Sequence, residues 1–144
     1  MKQIVLEIRE SWSGWPSNWG PIVQIDAAFY YPGNARFYIF YGDEYVRHAY
    51  GQGPDPGYPK KIRDSWSGWP GSWTAPYVQA ALYYPENNRI YLFQNDEYVR
   101  HSFDRGPDPD YPKEIDEAWS GWPREEWRDP PGEHSIRIDA ALYY

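Results

Sequence analysis

Residues 25–70 read IDAAFYYPGNARFYIFYGDEYVRHAYGQGPDPGYPKKIRDSWSGWP, and residues 78–123 read VQAALYYPENNRIYLFQNDEYVRHSFDRGPDPDYPKEIDEAWSGWP. Residue 25 aligns with residue 78, an offset of 53, and no gap is needed. DEYVRH, GPDP, YPK and WSGWP match letter for letter. A period near 50 residues points to propellers, solenoids or arrays, in which one small unit cannot bury its own faces and stacks on its copies.

The flanks are partial copies. Ile8–Pro16 repeats the tail of the unit, and Ile138–Tyr144 (IDAALYY) repeats its head. The chain therefore divides into a partial repeat and linker at 1–24, full repeats at 25–77 and 78–137, and an inner strand at 138–144. WSGWP occurs three times but DEYVRH only twice.

Within a unit the elements are legible. IDAAFYY is short and apolar, and predicts a fully buried strand whose alanines suit a crowded position. Pro32, Gly33 and Asn34 predict a turn. RFYIFYG is β-branched and aromatic, a second strand. Gly42-Asp43, replaced by Asn95-Asp96 in the second unit, marks a hairpin leading into a third strand, EYVRHAY. GQGPDPG and DRGPDPD predict loops with room for a short outer strand. YPKKIRDSW and YPKEIDEAW predict one or two helical turns, with Pro59 and Pro112 at the first helical position. Gly68 and Gly121 mark the helix exit, and Pro70 and Pro123 prevent continuation. One unit is three or four antiparallel strands and a short helix, and radial stacking makes it a propeller blade.

Composition narrows function. The 144 residues carry a net charge of −7 and 20 % aromatics, including 15 Tyr and 9 Trp. Affinity for nucleic acid comes largely from Lys and Arg on phosphates, so this balance speaks against a nucleic-acid partner, and equally against an anionic membrane surface. The chain has no cysteine, which removes disulfides, thiol nucleophiles and zinc–thiolate sites. No apolar run approaches a membrane span. MKQIVLEIRE has acids within its apolar run and does not read as a signal peptide, so localisation stays open.

Taken together, IDAAFYY…RFYIFYGDEYVRH…YPKKIRDSWSGWP resembles a hemopexin-like repeat. That family has an inner strand beginning Asp-Ala-Ala, a Phe-x-Gly-Asp-x-Tyr hairpin and a Tyr-Pro-Lys…Ile…Trp-x-Gly-x-Pro exit. The resemblance implies an all-β, four-bladed propeller with short helices between blades and the Asp-Ala-Ala strands lining a central channel. It also implies a cation there, calcium or another, held by backbone carbonyls at the Asp position, with a second layer two residues on. Those positions are Asp26, Gln79 and Asp139, then Ala28, Ala81 and Ala141. Gln79 departs from the usual acid, but a backbone ligand would survive that change. The disulfide that closes many secreted relatives is missing here. Two units and fragments do not make four blades, so the expected partner is a second copy, a homodimer being the simplest arithmetic, with a piece of a longer repeat array or an engineered half-propeller as the alternatives.

Two further site readings follow. His48 and His101 occupy equivalent strand positions, where a structural hydrogen bond competes with haem ligation. His134, in the insert RDPPGEHSIR, reads as a solvated loop residue. The carboxylates Asp43, Glu44, Asp96 and Glu97 recur at hairpins, where acids cap turns and protect edges. No nucleophile motif, phosphate loop or metal-spaced His pair is present. The first Trp of each WSGWP region, Trp12, Trp66 and Trp119, is expected to pack between blades. Trp15, Trp19, Trp69, Trp73, Trp122 and Trp127 sit in loop-like sequence, where rings stack on sugars or on a protein partner. The expectation is a non-enzymatic binding or scaffold module, with a haem or small-ligand carrier and a carbohydrate-binding module as alternatives.

Overall fold

A computed structural model describes residues 12–20, 24–121, 138 and 140–141. It contains two antiparallel sheets of the same design. In the first, β1 (Ala27–Tyr31), β2 (Arg36–Tyr41), β3 (Glu44–Ala49) and β4 (Gly53–Pro54) follow one another, and β5 (Lys60–Lys61) pairs with the start of β3. The helix α1 (Ile62–Ser65) follows. The second sheet repeats this with β6 (Ala80–Tyr84), β7 (Arg89–Gln94), β8 (Glu97–Ser102), β9 (Gly106–Pro107) and β10 (Lys113–Glu114), then α2 (Ile115–Ala118). The short outer strands β4 and β9 are the ones that the GPDP loops left room for.

Register explains how the aromatics divide. Phe37 faces His48 and Ile39 faces Val46 across β2 and β3, while Tyr38 faces Arg47 and Phe40 faces Tyr45. Side chains alternate between the faces of a strand, so these pairs form two opposite surfaces. One surface of the first sheet carries Ile39, Val46 and Phe37, and is covered by Trp12, Trp15 and Trp19. The other carries Phe29, Tyr38, Phe40 and Tyr45, and packs with Ile62 and Trp66 against Ile90, Leu92 and Val99 of the second sheet. Both faces are covered, which suits the nearly continuous apolar and aromatic run of β2. The first strands of the two sheets, β1 and β6, lie against each other.

Two local expectations need correction. Pro59 and Pro112 are not the first helical residues: each follows a cis peptide bond, after Tyr58 and Tyr111, and precedes β5 or β10. The helices begin three residues later, at Ile62 and Ile115, and are only one turn long. A helix that short has no stability of its own; the complete burial of Ile62 and Ile115 holds it in place. Nor is the inner strand buried throughout, since Tyr30 is exposed.

Candidate functional site: the joint between sheets and the central cleft

The repeated words meet at the joint between the sheets. The WSGWP that leaves one unit clasps the next unit. The Ser67 carbonyl lies 3.3 Å from His101 Nε2, and the Ser13 carbonyl lies 3.1 Å from His48 Nε2. Trp66 stacks edge-on to His101, and Trp12 packs on His48. Trp73 Nε1 donates to Glu97 at 2.8 Å, and Trp19 Nε1 donates to Glu44 at 2.9 Å. Thus Trp12–Trp19 closes the first sheet as Trp66–Trp73 closes the second.

This geometry assigns the histidines. His48 and His101 are buried, with Nε2 tied to a carbonyl and Nδ1 enclosed without a hydrogen-bond partner among the described residues. Burial holds the His101 imidazole below its ordinary range, against the hydrogen bond to Ser67. Neither ring presents an open axial position to a haem, and the two sit in different joints. The hydrogen-bonding reading places them better, although the acceptor comes from the clasp and not from a neighbouring strand.

The tryptophans divide in a way that corrects the stacking expectation. Trp19 and Trp73 are buried and hydrogen-bonded, so neither can stack on a sugar. Trp15 and Trp69 are half-buried, each edge-on to its neighbour Trp19 or Trp73. Trp122 and Trp127 lie outside the described residues, as does His134.

A polar triad was not foreseen. Asp108 accepts from Arg89 at the start of β7, 3.1 Å away, and from Arg100 on β8. Asp55 does the same with Arg36 and Arg47. Burial would raise both carboxyls, but the paired guanidinium hydrogen bonds win and hold them below the usual range. The acid of each GPDP word thereby ties the outer edge of its sheet to the two arginines. The only signal in the sequence was recurrence of all three residues at the same offset.

The expected channel positions fall in two clefts. Ala28, Ala81 and Ala141 line one cleft of about 250 Å³, and Asp26 and Gln79 line another with Tyr77 and Gly42. Asp139 is outside the described residues. The side chains of Asp26 and Gln79 are already engaged. Asp26 Oδ2 accepts from the Gly42 N–H at 2.7 Å, and Gln79 Oε1 accepts from the Asn95 N–H. Each fastens the inner strand to the hairpin beside it. This needs an acceptor oxygen but no charge, so Gln fits where Asp stands in the other unit. A cation here would fall to main-chain oxygens. Among the described residues no group of three His, Asp or Glu side chains could hold a metal.

Comparison with known proteins fits this architecture. The hemopexin family model matches residues 25–71 and 78–124, more than half of the chain. The chain belongs to the hemopexin family. Rabbit (Oryctolagus cuniculus) vitronectin is 34 % identical over 90 residues, which are 62 % of this chain and 19 % of that protein; human (Homo sapiens) vitronectin is 33 % identical over 90 residues. The chain thus spans about a fifth of the curated relatives it matches. A hemopexin-fold protein from cow pea superposes with a TM-score of 0.56 at 25 % identity, over 68 % of this chain and 47 % of that one. A plant lectin from Cicer arietinum, described as having two metal binding sites, gives 0.53 at 26 % identity, over 65 % and 43 %. No helix among the described residues is long and apolar enough to cross a membrane.

Proposed function

We propose that this chain is a non-enzymatic binding and scaffold module that works by self-association, two copies supplying the four blades of a ring. The observation that carries this is the commitment of the repeated polar side chains to construction. The two His lock clasps, Glu44 and Glu97 receive indole N–H groups, and Asp55 and Asp108 hold arginines. Among the described residues, little remains that resembles an acid–base pair poised beside a cavity. The superposition on about half of the cow pea protein suits two blades out of four. Light scattering across a concentration series tests the reading: a dimer mass is expected, and a folded monomer at every concentration would overturn it.

A structural cation belongs to the same reading. Its support is that Asp26 and Gln79 share one cleft, that Ala28, Ala81 and Ala141 share another, and the description of the Cicer arietinum lectin. The main-chain oxygens of Asp26 and Gln79, with Ala28, Ala81 and Ala141 as the second layer, would hold it. It would cross-link inner strands and take no part in chemistry. Calcium should then raise the unfolding temperature relative to a chelator; identical melting curves would remove the ion.

A further inference from the structure

The joint inside the chain predicts a second one on its outside. Phe103 of the second sheet enters a groove on the first, with ring centroids 4.6 Å from Tyr31, 5.0 Å from Tyr38 and 5.6 Å from Trp66, and 6.5 Å from Phe29. Advancing each groove residue by the 53-residue offset gives Tyr84, Tyr91, Trp119 and Leu82. All four line an open cleft of about 590 Å³ on the far face of the second sheet. Moving Phe103 back by the same offset gives Tyr50. Phe103 is 42 % exposed in its groove, whereas Tyr50 is 77 % exposed. One chain thus displays both halves of the joint: a counterpart groove with no plug among the described residues, and a counterpart plug, Tyr50, touched by Trp12 and otherwise mostly exposed.

We propose that the cleft lined by Leu82, Tyr84, Tyr91 and Trp119 takes Tyr50 of a second copy of this chain. The proposal rests on the self-association reading and supplies its contact. The union is head-to-tail, and two such contacts close a pair of chains. It also gives the partial repeats a role. On the first sheet Trp12 stands where Trp119 of another copy would stand, edge-on to Tyr50 and Phe37. On the second sheet Ile138 and Ala141 pack where the partner's counterparts, Ile25 and Ala28, would pack. The partial repeats are therefore competitors that occupy each face until a second copy displaces them.

Sedimentation equilibrium on the full chain tests this with four variants, each checked for folding by circular dichroism. Tyr50→Asp and Tyr84→Asp should each weaken self-association about tenfold or more, the range of a central aromatic contact. Their mixture should recover association, because one intact plug meets one intact groove. Trp12→Ala should tighten association while Trp119→Ala weakens it, opposite signs for the same word. If the wild type associates but Tyr50→Asp and Tyr84→Asp leave the dissociation constant unchanged, this contact is wrong and self-association stands. No recovery on mixing, or Trp12→Ala weakening association, also overturns the contact. If the wild type is a monomer throughout, both readings fall.

Discussion

Gly68 lies against Pro107: a Cβ added to this glycine would stand 2.6 Å from the proline Cδ. The pair recurs as Gly14 against Pro54, at 2.7 Å. Both glycines have positive φ, 69° and 72°. The backbone conformation and the close approach therefore both require a residue without a side chain. This contact seats the clasp on the outer strand of the next sheet.

Gly68→Ala should destabilise the chain by about 2 kcal/mol or more, since the left-handed strain of about 1–2 kcal/mol is joined by the clash. Gly121 shares the φ, at 78°, but among the described residues nothing lies within 4 Å of a built Cβ. Gly121→Ala should cost only the strain, about 1–2 kcal/mol. Urea unfolding of the two variants compares them, and equal losses would mean that the proline contact is idle.

The clasp should weaken in mild acid. His101 is held below its ordinary 6.5 by burial, so the unfolded chain binds the proton more readily than the folded one. Its contribution is complete above about pH 6.5 and shrinks as the pH falls towards the folded value. Unfolding free energy should drop between pH 7.5 and pH 5. His101→Gln should flatten that slope, and an unchanged slope would place the effect elsewhere.

At lower pH the two aspartates take over. Asp55 and Asp108 have folded values below the ordinary 3.8. Their stabilisation is present above that value and is lost as the pH falls through the depressed one. Asp108→Asn should cost about 1.5–3 kcal/mol at neutral pH, the range for hydrogen bonds to charged groups. It should also reduce the acid sensitivity of unfolding below pH 4. A variant as acid-sensitive as the wild type would contradict the assignment.

Asp26 offers a test of what the inner-strand acid does. If its role is to accept the Gly42 N–H, Asp26→Asn should stay within about 0.5 kcal/mol of the wild type, and Asp26→Ala should cost about 1 kcal/mol. A large loss in Asp26→Asn, by thermal unfolding, would show that the charge matters.

Ala35 takes φ 54°, a conformation that alanine resists and that Asn88 occupies in the second unit. Ala35→Asn should stabilise the chain by about 0.5–1 kcal/mol, read as a rise of a few degrees in the melting temperature. No change would mean that this turn relaxes in solution.

The strands and hairpins were legible because their signals are local: alternating aromatic and β-branched runs, and turn pairs such as Gly42-Asp43 and Asn95-Asp96. Proline was less legible. Pro59 and Pro112 fit a helix start by composition, yet their geometry is set by neighbours that a short window does not contain. Trp19 and Trp73 looked like loop residues because nothing near them predicts Glu44 and Glu97, some 25 residues away, as acceptors. The arginine–aspartate triads hid for the same reason, each spanning a whole sheet edge from Arg36 to Asp55 or from Arg89 to Asp108.

The direction of the clasp separates the unit of sequence from the unit of folding. The family match divides the chain at 25–71 and 78–124, so each piece carries a clasp made for its successor. The closed pieces are staggered by about a dozen residues: one starts at Trp12, the next at Trp66, and each brings the serine that its own histidine needs. Excision or grafting of a single blade should follow these cuts. A blade cut at the homology boundary would leave with its neighbour's lock and without its own.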